Sequence, residues 1–359
     1  MGVSMIIPPI TLVLGTGGVG KTTASAALGI ASAKAGKKTV VITIDPARRL
    51  ADALGLSAFD DSTQKIQLHG MKEDIPLYGA MLDQKSTWDS TMTRLCKDPD
   101  TLHDLLNNRY YRAVSTRLTG SHEYMAAERL YQLATTQTWD SIIVDTPPAH
   151  HALEFLNAPK RMNSLLERSM LQRLTRPASG FASFATKGIR RTVNGLLGTS
   201  VLADISDFFR LMTSASTELR EHAKEVSEWL GNPHTRFLWV TTPSNTANQA
   251  TQATIKELEA FGYHLHQILV NRTVEHPGGP FPDIPCPTSI TNNQWDLVRQ
   301  QLVSEWTRHA STADVQQRRI AELSANVDIP VSKLPLISLR DDPTSELLEI
   351  AEKIPYNLI

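Results

Sequence analysis

Cysteine is almost absent from this chain: only Cys96 and Cys286 occur in 359 residues. Two thiols so far apart in sequence give no disulfide framework, no CxxC pair and no complete zinc site within one chain. A reducing, cytoplasmic compartment is the expectation. Long apolar runs are missing too. No stretch approaches the ~20 residues that a membrane-spanning helix needs, so no transmembrane segment is expected. The start of the chain, Met1 to Leu14, is partly apolar, but Pro8 and Pro9 interrupt it. It lacks the basic start and small-residue cleavage site of a signal peptide, and reads instead as a lead into a first core strand. Charge of one sign is also lacking: 36 Lys and Arg stand against 37 Asp and Glu, for a net charge of -1. That balance argues against bulk nucleic-acid binding. No internal repeat or low-complexity stretch is visible.

What remains is an ordinary globular composition, 41% hydrophobic and 20% charged. The length is enough to bury a large core. Short β-branched or apolar runs recur along it: Ile10 to Leu14, Thr39 to Ile44, Leu77 to Leu82, Ser141 to Val144, Phe237 to Val240, Gln267 to Val270 and Val331 to Leu336. Helical patterns separate most of them. Strands alternating with helices predict an α/β fold with a mainly parallel sheet flanked by helices. Two stretches, 87–133 and 160–230, read as helical and interrupt that rhythm. They are expected to form one helical subdomain at the sheet edge, inserted in a single domain spanning 1–359.

The most informative segment is Gly15-Thr16-Gly17-Gly18-Val19-Gly20-Lys21-Thr22, followed by Thr23. It fits GxxxxGK[ST], follows a predicted strand and opens a predicted helix, the context a phosphate-binding loop requires. Glycines let backbone N–H groups face a phosphate without a Cβ in the way. The helix N-terminus adds partial positive charge. Lys21 can reach the β- and γ-phosphates, and the Thr22 hydroxyl can bind Mg²⁺. Asp145 ends a hydrophobic strand, where a carboxylate on the Mg²⁺ side belongs; it could also cap the helix that follows, and both roles could hold together. Asp45 ends the second strand, on the side of the sheet where ligands bind; there it could position an attacking water, the alternative being a turn carboxylate that caps the next helix.

The glycine run, Asp45-Pro46-Ala47 with Asp52 downstream, and Asp145-Thr146-Pro147-Pro148-Ala149-His150-His151 together resemble the ArsA family of P-loop ATPases. That family holds arsenite-pump ATPases and the ATPases that target tail-anchored membrane proteins. It is related to MinD, ParA and the nitrogenase iron protein. The likeness extends to Leu77–Asp83, Val240–Pro243, Val270-Asn271-Arg272 and Leu334-Pro335-Leu336. It implies ATP and Mg²⁺ as ligands. It makes Gly15, Gly17, Gly18, Val19, Gly20, Lys21, Thr22 and Thr23 the phosphate cradle, with Lys21 and Asp45 catalytic. Thr22 and Asp145 fall on the metal side, and Asn271 and Arg272 at the nucleotide. The Asp45 and Asp145 segments correspond to switches I and II.

The departures are specific. Relatives typically carry a second lysine where this chain has Thr16, and that lysine reaches a partner's nucleotide; either turnover is slow here, or another cation such as Arg48 or Arg49 substitutes. Two cysteines disfavour the pump reading, and no CxxC exists for an inter-subunit zinc site. The segment Lys160 to Arg220 carries ten basic residues against four acidic ones. Among them lie Met162, Leu165, Leu166, Met170, Leu171, Phe181, Phe184, Leu196 and Leu197. By resemblance, this region would offer a groove to an apolar client helix such as a tail anchor. A homodimer is implied, since a single-half chain must find its second nucleotide site in another copy. The alternative is a nucleotide-regulated positioning protein like MinD or ParA, in which ATP sets the dimer state.

Overall fold

A computed structural model describes residues 7–44, 49–54, 62–117, 121–165, 199–337 and 342–359. Its strands are β1 (Ile10–Gly15), β2 (Thr39–Thr43), β3 (Gln64–Lys65), β4 (Leu77–Met81), β5 (Ser141–Asp145), β6 (Thr235–Thr241), β7 (Gln267–Thr273) and β8 (Val331–Pro335). The described helices, in chain order, are α1 (Lys21–Lys34), α2 (Arg49–Leu54), α3 (Gln84–Leu95), α4 (Pro99–Asn107), α5 (Arg109–Arg117) and α6 (Ser121–Thr135). They continue with α7 (Ala149–Leu165), α8 (Thr199–Leu230), α9 (Asn245–Ala260), α10 (Asn292–Ala325) and α11 (Pro343–Glu352).

The strands make one sheet in the order β3-β4-β2-β5-β1-β6-β7-β8. All neighbours pair in parallel except β3, a two-residue edge strand antiparallel to β4. The other strands follow the β-branched runs closely; β3 is too short to leave a periodic signal. Successive side chains point to opposite faces, and helices cover both. Leu12, Leu14, Val40, Ile42, Ile142 and Val144 enter one core with residues of α6, α7 and the end of α8. Val13, Val41, Ile143 and Leu238 enter the other with α1, α2 and α11. α1 is built of small residues and lies close against β2: a Cβ on Gly29 would sit 2.3 Å from Val41 Cγ2.

A third core belongs to the helices alone. Trp88 and Met92 of α3, Leu105 of α4, Tyr111 of α5 and Tyr124 of α6 pack with Phe208, Leu211 and Leu219 of α8. Buried Glu128 on α6 ties this layer together: Arg94 Nη2 of α3 donates to it at 2.8 Å, and His222 Nδ1 of α8 lies at 3.1 Å. The helical stretches do not simply stand at the sheet edge. Ala126, Leu130 and Leu133 of α6, and Trp229 and Leu230 of α8, sit in the sheet's own core. Pro159, the one obvious breaker after Asp145, lies inside α7 without ending it. Phe155 and Leu156 before it pack on the sheet and Ala158 on the helical core, which holds the helix through the lost N–H. The stretch 166–198, with most of the apolar residues assigned to a client groove, lies outside the described residues.

Candidate functional site

The loop between β1 and α1 sits at the carboxyl ends of the two central strands, β1 and β5, as ligand sites in parallel sheets do. Gly15 closes β1, Gly17 and Gly18 are exposed at the tip, and Val19 turns its side chain into the core. Gly20 precedes the helix with φ 92°, a left-handed conformation that favours glycine. A Cβ there would also lie 2.3 Å from Asn271 Nδ2. Lys21, mostly buried, donates from Nζ to the Thr16 carbonyl at 2.9 Å across the loop. Thr22 and Thr23 are half-buried in the first turn of α1.

Asp145, at the end of β5, is the hub. Its Oδ2 accepts from Thr22 Oγ1 at 3.0 Å and from Thr43 Oγ1 at 3.3 Å; its Oδ1 accepts from Ser25 Oγ at 3.1 Å. It therefore joins α1 and β2 to the end of β5. Ser25 and Thr43 were not anticipated. Ser25 lies one turn beyond Thr22 on α1, a spacing that shares a helix face. Thr43 meets Asp145 only through the register of β2 on β5.

The Thr22 hydroxyl spends its proton on Asp145, so its oxygen lone pairs are free to accept a cation. A buried carboxylate beside such an oxygen fits the hard oxygen ligands that Mg²⁺ takes. Burial pushes the Asp145 carboxyl up from 3.8 to about 6, against the pull of the Thr22 and Ser25 hydroxyls and the Lys21 charge. A raised folded pKa favours the protonated fold. That contribution is complete below 3.8 and lost as pH rises through about 6. With divalent cations chelated, thermal stability should step down across that window, and Asp145→Asn should remove the step. Melting curves of both proteins from pH 3 to pH 8 check this; parallel pH profiles would exclude Asp145 as the source.

Asn271 and Arg272 lie at the end of β7. Asn271 is buried, and its Nδ2 donates to the Val19 carbonyl at 2.8 Å while its Oδ1 accepts from the Arg272 N–H. It thus clamps the glycine-rich loop from β7, with β6 between that strand and β1. Arg272 is exposed, with φ 59° at an irregularity where β7 shifts register on β8. A left-handed arginine costs about 1–2 kcal/mol, which this packing holds in place. Asp45, Pro46, Ala47 and Arg48 lie outside the described residues, as does the Arg49 side chain. The structure accordingly brings together the loop, Thr22, Asp145 and Asn271. Ser244 caps α9, accepting from the Ala247 N–H.

The family model described as anion-transporting ATPase matches residues 9–279, most of the chain. The chain is 28% identical over 284 residues to "ATPase ASNA1 homolog 2" of Paramecium tetraurelia, covering 76% of each. It is 27% identical over 299 residues to "ATPase get3" of Schizosaccharomyces japonicus, covering 81% of this chain and 80% of that one. A second "ATPase get3", from Pyrenophora tritici-repentis, is 28% identical over 284 residues. The matched region stops just before α10, so this long helix lies outside the family model.

Proposed function

The chain belongs to the anion-transporting ATPase family and is an ATPase; from that premise we propose that ATP binding and hydrolysis are coupled, through two switch segments, to dimer closure and to binding of a client. In this reading ATP and Mg²⁺ sit at Gly15–Thr23. Lys21 neutralises phosphate charge, and Thr22 and Asp145 face the metal. Mg²⁺, when bound, supplies charge neutralisation at the phosphates. Asp45 orients the attacking water. Asn271 and Arg272 lie toward the nucleotide base, and the clamp on Val19 keeps the cradle in shape. The resemblance to tail-anchored-protein targeting ATPases makes an apolar helix the client class. The compartment in this reading is the cytoplasm. No helix among the described residues is long and apolar enough to cross a membrane.

The observation that carries the coupling is the course of the chain after Asp145. α7 starts four residues beyond it and packs into both the sheet core and the helical core. A shift of switch II at the γ-phosphate is therefore felt directly by α6 and α8. A ligand moves such an equilibrium only by its differential affinity for the two states. Hydrogen exchange on α7 and α8 should differ between ADP and a non-hydrolysable ATP analogue. Equal protection in both would leave the helices as a passive layer and remove the coupling.

A further inference from the structure

Outside the phosphate loop, one group of metal-ligating side chains gathers among the described residues where α6 meets α7. Glu123 stands in the first turn of α6; His151 and Glu154 stand three residues apart at the start of α7. One ligand atom from each of the three lies within 4.8 Å of the other two. His151 Nδ1 is 3.0 Å from Glu154 Oε2. A second observation is independent of that spacing. Glu123 Oε2 is shut off from solvent and has no hydrogen-bond partner among the described residues. Buried carboxylate oxygens ordinarily find a donor, and two carboxylates this close repel unless a proton or a cation shares them. The His151 ring itself is exposed, which leaves a path for an ion to enter.

We propose that Glu123, His151 and Glu154 form a site for a divalent transition-metal ion of the Zn²⁺ or Mn²⁺ type, tying the start of α7 to the start of α6. One imidazole and two carboxylates suit such ions, with an open position left for water. The site is distinct from the Mg²⁺ side of the nucleotide, because both Asp145 oxygens face Thr22, Ser25 and Thr43. Its position gives it leverage. His122, next to Glu123, donates from Nε2 to the Ile44 carbonyl at 2.7 Å, at the end of β2. The N-terminus of α6 is thus fastened to the end of β2, and the metal would fasten the start of α7 to the same point.

The test needs no nucleotide. The full chain, stripped of metal, is titrated with Co²⁺, and Zn²⁺ is then added in competition. The expected result is saturation at one equivalent, with the visible absorption of a nitrogen and oxygen site. X-ray absorption of the Zn²⁺-loaded protein should give nitrogen and oxygen ligands at about 2.0–2.2 Å, imidazole among them. His151→Ala and Glu123→Gln should each weaken Co²⁺ binding at least about tenfold. Lys21→Ala should bind Co²⁺ as the unaltered chain does, so that failure of the nucleotide reading and failure of this site are told apart. No saturable binding, a thiolate band from Cys96 or Cys286, or unchanged affinity in both site variants would overturn the proposal. If either variant does not fold, the ligand set seen in the unaltered protein decides.

Discussion

Replacing Lys21 by alanine is expected to abolish ATP hydrolysis, lowering kcat by at least about 10²–10³-fold, the usual loss for one donor aimed at developing charge. The ammonium is the strongest positive charge the loop can offer a phosphate. It is also held in place, mostly buried and hydrogen-bonded to the Thr16 carbonyl. Only the side chain beyond Cβ changes, so the cradle of backbone N–H groups should survive and some nucleotide binding with it. Steady-state hydrolysis together with binding of a fluorescent ATP analogue checks the result. Activity like that of the unaltered chain would remove the loop from the chemistry. Thr16 sharpens the expectation. Position 16 is not a lysine, so Lys21 has no neighbouring lysine within the loop to share its load.

Asp45→Asn is expected to separate binding from turnover. A carboxylate that orients or activates water contributes about 10²–10⁴-fold to the rate, while the cradle does not depend on it. ATP affinity should therefore stay close to that of the unaltered protein while hydrolysis falls by that factor. Parallel loss of both would make Asp45 a structural turn residue. The same variant should hold the ATP-bound state, so it is the right material for the dimer question. Sedimentation in ATP and Mg²⁺ at micromolar concentration should show a homodimer. A monomer under those conditions would contradict a composite site built from two copies, and would place the work of the switches within one chain.

Much of the architecture was legible because it is written locally. Thr39 to Thr43 is an uninterrupted β-branched run, and a strand buried on both faces needs little else. The glycine spacing before Lys21 marks a strand-to-helix loop, and α1 begins at that lysine. The helical stretches were legible as helices, but their packing was not. The sequence of α6 shows one apolar pattern. The structure divides it between the sheet core, through Leu130 and Leu133, and the helical core, through Tyr124 and Met125.

The sequence by itself determined the strand–loop–helix unit, the parallel α/β class and the presence of an acid after the β2 run and at the end of β5. These follow from periodicity and from residue types within a few positions of one another. Only the tertiary structure decided what those groups touch. Asp145 gains its hydroxyl partners from residues 123, 120 and 102 positions away, and Asn271 reaches the Val19 carbonyl across 252. Such contacts depend on which strands become neighbours and in what register. That choice comes from the burial of whole faces, a sum over many side chains that no local pattern contains.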